Sequence, residues 1–112
     1  MIPRFLSAPV PPVVAHPAWP DGRRVIGWQI CAAMSPSGPW RRVNAGRLEV
    51  DATEALMVGN FGDNETHARI TFVRDGGSFE GGTVPGGIAK LAPDGEVTTV
   101  APGSRRPGRI VR

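Results

Sequence analysis

Six prolines stand among the first twenty residues, at positions 3, 9, 11, 12, 17 and 20. Proline has no amide proton to donate and holds the residue before it in an extended conformation, so the stretch is closed to a helix and to a central strand. The sequence therefore predicts an extended, polyproline-like arm over residues 1–20. Such an arm has little of its own to bury. It carries Phe5, Val13, Val14 and Trp19, and either these together with Pro11 and Pro12 meet a partner surface or the stretch is a disordered tail. The same prolines exclude the apolar helical segment of a secretory leader, and nothing approaches the roughly 18 continuous apolar residues of a membrane span.

From residue 24 onward the apolar residues alternate. In RVIGWQICAAM the even positions Ile26, Trp28, Ile30, Ala32 and Met34 form one apolar face, and SPSG ends the run as a turn. PWRRVNAGRLEV offers two short strands about Asn44, Ala45 and Gly46. HARITFVRD sets Ala68, Ile70 and Phe72 against Arg69 and Thr71, and IAKLAPDGEVTTV reads as a hairpin whose Pro93-Asp94-Gly95 favours a tight turn. The pattern predicts a mainly β fold, a small sandwich or barrel of short antiparallel strands over residues 21–103. One segment has two readings. In VDATEALMVGN, Asp51 stands three residues before Glu54 and Gly59 follows the last apolar residue, as at the ends of a short helix near 51–58; as a strand, it would turn Leu56 and Val58 inward.

Chemistry is the harder question. DGGSFEGGTVPGG holds three Gly-Gly pairs, and Gly76 to Gly81 has the GxxxxG spacing of a phosphate loop. A phosphate loop needs a lysine next and a helix behind it. Here Gly82, Thr83 and Pro85 follow, so the segment reads as a turning edge with Phe79 and Val84 free to plug into a core or a neighbour. His67 lies near Asp63 and Glu65 in DNETH, but zinc and calcium sites call for other ligand sets, and a polar turn before the strand at Ala68 is the expected structure. Cys31 is alone and is expected to be a small buried hydrophobe. No serine, histidine or paired carboxylate stands in the setting of a nucleophile or acid-base pair. The sequence thus points to no enzyme, no metal and no cofactor.

The formal charge is +3, and much of it is local, because residues 104–112 hold Arg105, Arg106, Arg109 and Arg112 and no acid. This basic C-terminal tail reads first as solvated or docked to a protein partner, with nucleic acid as the lesser alternative. Within GPWRRV, Trp40 beside Arg41 and Arg42 fits either a stacking platform or a tryptophan turned inward with its arginines in solvent.

The stretch from GPWRRV through RLEV, MVGNF and ARITF to GGSF resembles the head-decoration proteins of lambda-like phages, small trimeric β-rich proteins with a Pro/Ala-rich N-terminal arm lying along the capsid lattice. The likeness spans about 40 residues; residues 24–38 and the C-terminal 25 depart from that pattern. It implies a virion structural subunit, a capsid decoration or other head or tail accessory protein, with copies of itself and a major capsid or tail protein as partners. A second likeness crosses it: GWQICAAMSPSGPWRRV followed by ARITFVRDGG is similar to the middle strands of fibronectin type III domains, where such a GPW turn joins two strands. That implies a free adhesion or ligand-binding module. IAKLAPDGEVTTVAPG also resembles one hairpin of a propeller blade, which alone cannot close a propeller.

Overall fold

Seven strands and no helix make up the described residues, which are 1–12, 22–79 and 82–103 of a computed structural model. Two of the strands, the second and the fifth, come from the alternating runs, and the sixth opens at Thr83 inside the glycine-rich stretch expected to be a turning edge, because its residues 83–87 pair with the fifth strand. The second to sixth strands are β2 (Val25–Ala33), β3 (Arg41–Arg47), β4 (Glu54–Phe61), β5 (His67–Arg74) and β6 (Thr83–Lys90). β1 (Ile2–Pro9) precedes them and the short β7 (Val97–Thr99) follows. They form a three-stranded sheet in the order β4-β1-β7 and a four-stranded sheet in the order β3-β2-β5-β6, packed face to face as a sandwich. The core between them is Leu6, Ala8, Trp28, Ile30, Ala32, Ala55, Met57, Phe61, Ala68, Ile70, Phe72, Val84 and Val100.

The predicted arm is the largest correction. Its first residues are the middle strand of a sheet, antiparallel to β4 and parallel to β7. Proline permits this because Pro3 and Pro9 fall at the two ends of β1, and the pairing with β7 uses only Phe5, Leu6 and Ser7 between them. Every donor the double-sided pairing needs is thus present. Leu6 and Ala8 enter the core while Phe5 faces out. The rest of the expected arm divides: Pro11 and Pro12 follow the strand, and Val13, Val14 and Trp19 lie outside the described residues, as does the basic tail with Arg105, Arg106, Arg109 and Arg112.

Residues 51–58 are not a helix. Asp51 adopts a left-handed conformation with φ of 63° in a turn closed by Ala52 N–H to Glu49 O, and β4 then alternates regularly between exposed and buried. Glu54 accepts a hydrogen bond from Ser7 Oγ at 2.5 Å instead of reaching back to a helix start. The strand's facing also differs from expectation. Pairing of Met57 with Leu6 and of Ala55 with Ala8 sets the register, so Leu56 and Val58 point outward. A period of two leaves no intermediate choice.

Two further expectations give way to the ladder. The two strands about Asn44 are one strand, because β3 absorbs an extra residue as a bulge where Ile30 pairs Asn44 and Cys31 pairs Arg42. The Pro93-Asp94-Gly95 turn exists, with Glu96 N–H donating to Pro93 O and Gly95 at φ 87°, but it does not join a hairpin. β6 and β7 belong to different sheets, so the turn carries the chain across the sandwich. Arg4 donates to Ala92 O at 2.6 Å and holds this crossing against β1.

Both sides of the sandwich are closed by local chemistry. On one, Asn44 Nδ2 donates to Val58 O at 2.6 Å, which occupies an acceptor on the open edge of β4. On the other, Val100 N–H donates to Ser7 O, and the Ala101 carbonyl lies against Gly87, where φ is 113° and a side chain would have no room. Trp28 rests its ring on Gly46 of the neighbouring strand, a place only glycine leaves open.

Candidate functional site

Neither outer face of the sandwich is built like the core, and the two differ from each other. On the three-stranded sheet, Phe5 pairs with Val58 on one side and with Val97 on the other, and Leu56 stands beside Ser7. All four apolar side chains are exposed, Leu56 by 74% and Phe5 by 45%. They line one shallow apolar depression. The one carboxylate among them, Glu54, is tied to Ser7, so the patch is uncharged apart from a group already bonded. Of the residues predicted to touch a partner, Phe5 is in this patch. Pro11 and Pro12 lie elsewhere, in a groove with Val10, Arg24, Val25 and the Asp51–Thr53 turn.

The four-stranded sheet is cationic. No Asp or Glu occurs in β2, β3, β5 or β6. At positions alternating with the core, a cross-strand row runs Arg42, Cys31, Arg69, Ile88, and a second runs Ala33, His67, Lys90. Arg69 lies over the Trp40 ring and Arg42 over the Phe79 ring, each 4.9 Å from guanidinium carbon to ring centroid. Trp40 is therefore on the outside of this sheet, not turned into the core. Cys31 is buried as expected, although it sits in the outward row between these two arginines. Phe79 brings the glycine-rich segment back to β3, while Val84 plugs into the core. Thr83 opens a strand, so the GxxxxG spacing has no helix behind it.

The acidic cluster around His67 dissolves on inspection. Glu65 takes Arg41 in a two-pronged bond, Nε to Oε2 at 2.9 Å and an end nitrogen to Oε1 at 2.7 Å, and also accepts from Gly62 N–H at 2.7 Å. The Arg41 hydrogen bond, helped by Gly62, holds the Glu65 carboxyl below the usual carboxylate range, and Arg41 is held above its ordinary value by the same bond. His67 shares a 2.9 Å hydrogen bond with Thr66 Oγ1 instead of facing Asp63 or Glu65. Among the described residues no group of three or more His, Cys, Asp or Glu could hold a metal ion, and no helix is long and apolar enough to cross a membrane.

Leu56, Val58 and Val97 were not singled out by the sequence as partner contacts, because β4 is apolar on both faces and only the pairing with β1 decides which face is outside. The absence of carboxylates from four strands was legible, as a charge asymmetry between strands and loops. No family model matches the chain, and no curated protein and no solved structure matches it.

Proposed function

We propose that this chain is a β-sandwich binding module without catalytic activity, which associates with a second copy of itself through the outer face of its three-stranded sheet. The observation that carries this reading is the patch of Phe5, Leu56, Val58 and Val97. Apolar surface exposed together on a small domain marks a contact site. A surface that meets its own copy across a two-fold axis must tolerate like facing like. A patch without a free charge does so, whereas the cationic opposite face would repel itself.

Of the two likenesses, one observation favours the module. In the strand lettering of immunoglobulin-type sandwiches, β1 to β6 take the places of B, C, C′, E, F and G, while β7 lies beside B on the side of strand A but runs parallel to it, a departure from the all-antiparallel pattern. That order supports a fibronectin-like adhesion or ligand-binding module. The virion reading, as a capsid decoration or a head or tail accessory subunit, relied on a detachable arm, and β1 takes residues 2–9 out of it. What remains for that reading is Pro11, Pro12, Val13, Val14 and Trp19 as a shorter contact segment toward a capsid or tail protein.

Light scattering across a concentration series tests the proposal. The wild-type chain should give a dimer mass, and a Leu56→Glu, Val58→Glu double variant should give a monomer with unchanged circular dichroism. A wild-type monomer throughout the micromolar range would end the reading.

A further inference from the structure

The outer face of the four-stranded sheet has a second capability, independent of self-association. We infer that it binds single-stranded nucleic acid, gripping the phosphate backbone with Arg42, Arg69, Arg47 and Lys90. All four stand at outward positions of β3, β5 and β6. None has a carboxylate partner among the described residues, whose acidic groups nearest this sheet are in loops, where Glu65 is taken by Arg41. Arg42 and Arg69 are two strands apart, which places them about 10 Å from one another at the ordinary strand spacing.

Two of these cations are held in place. A guanidinium lying on an aromatic ring has its planar fork held in orientation, so less side-chain freedom is lost when an anion arrives; in Arg69 the Nε is buried, which leaves the end nitrogens to meet the anion. Phosphate oxygens match that fork in pairs. The stacked rings of Trp40 and Phe79 stand beside the same forks and offer flat apolar surface for a base, the combination of groove cations and aromatic platforms that suits a single strand.

The face also discriminates against a peptide. Its backbone amides and carbonyls are spent in the ladder, so an extended chain could add no main-chain bonds there and would have to be recognised by side chains alone. A polymer with a charge on every unit satisfies several fixed cations without that help. The last described residue, Gly103, lies against Pro85 and Gly87 of β6, and the nine residues after it carry Arg105, Arg106, Arg109 and Arg112.

The test is fluorescence anisotropy with a labelled mixed-sequence single-stranded 20-mer, using the full chain and a chain ending at Gly103, from 50 mM to 400 mM salt. Each phosphate contact to a single strand contributes about 0.7 to the slope of log affinity against log salt, so four face cations give about −2.8 for the shortened chain. Arg42→Ala with Arg69→Ala should reduce that slope by about 1.4 and weaken binding roughly 25-fold at 0.1 M salt. Arg47→Ala with Lys90→Ala removes the same charge without touching a ring contact, and keeps the test valid if the first pair disturbs packing. Arg42→Lys with Arg69→Lys should retain the slope but bind more weakly. The inference fails if the chain ending at Gly103 does not bind at 50 mM salt, or if both alanine pairs leave the slope unchanged. It also fails if poly-glutamate at equal charge displaces the oligonucleotide as well as unlabelled oligonucleotide does, which would make the ligand an acidic protein segment.

Discussion

Phe5 and Leu6 are neighbours with opposite fates, and replacing each by alanine measures whether β1 belongs to the fold. Leu6 is 1% exposed, between the sheets, and Phe5 is 45% exposed on the outside. Truncating a buried leucine removes its transfer free energy and leaves a cavity, together about 2–5 kcal/mol. Full burial of a phenylalanine contributes about 1.5–3 kcal/mol, so a half-exposed one loses roughly 1 kcal/mol when cut back. Leu6→Ala should therefore exceed Phe5→Ala by about 2 kcal/mol even though phenylalanine is the larger residue. Denaturant unfolding at a protein concentration low enough to keep the chain monomeric, followed by the fluorescence of Trp28 and its fellow tryptophans, reads this directly, as a fall in midpoint at constant slope. A domain this size has on the order of 5–15 kcal/mol to lose, so the Leu6 variant should remain folded at low denaturant. If residues 1–9 were a detachable arm, both variants would match the wild type; a Leu6→Ala effect below about 0.5 kcal/mol refutes the placement of β1.

Gly46→Val places a branched side chain where the Trp28 ring rests. It should destabilise by about 1–3 kcal/mol and shift tryptophan emission, and an unchanged spectrum and midpoint would mean the ring sits elsewhere. Glu65→Gln probes the bond with Arg41. Because the folded-state pKa of Glu65 is lowered, its stabilising effect is complete above the unfolded value of about 4.3 and is lost as the pH falls through the lower folded value. The wild type should exceed the glutamine variant at pH 7 in low salt and converge with it below pH 4, and a gap independent of pH would exclude this carboxylate as the source. Gly87→Ala forces a side chain toward the Ala101 carbonyl at a positive φ, so it should lower the thermal midpoint by several degrees, and no change would show the 101–103 segment to be free of β6.

How much of this could be read from the residues depends on what kind of rule each element obeys. β5 was legible because Ala68, Ile70 and Phe72 alternate with polar residues, a local signal that needs no partner. β4 was not, because Ala55, Met57, Gly59 and Phe61 compete with Leu56 and Val58, and the choice between the two sets is made by β1, some fifty positions away. The proline rule failed at β1 for a related reason. Proline forbids a pairing only at its own amide, and the sequence does not reveal which amides a neighbour will use. The Pro93-Asp94-Gly95 turn was local and correct, while the hairpin inferred from it was tertiary and wrong. At the sites, the charge asymmetry was present in the composition of the strands. The Arg69 stack on Trp40 was not, since it requires β2 to bring two segments 29 residues apart onto one face.

The two outer faces are separated by the thickness of the sandwich and share no residue, which makes their independence measurable. Stacked sheets lie about 10 Å apart, so the outer side chains on opposite faces are farther apart than the range over which substitutions usually couple. Screening at 0.15 M salt, with a decay length of about 8 Å, further reduces any electrostatic influence of one face on the other. Leu56→Glu with Val58→Glu should therefore abolish the dimer and leave the salt slope per chain for nucleic acid intact, apart from the avidity lost when two cationic faces are no longer joined. Arg42→Ala with Arg69→Ala should do the converse. The avidity component separates itself, because it weakens binding to a 40-mer that can span two faces more than binding to a 12-mer that cannot. A glutamate pair on the apolar face that abolished 12-mer binding in a folded monomer would place both activities on one surface, and the division of labour between the sheets would then be wrong.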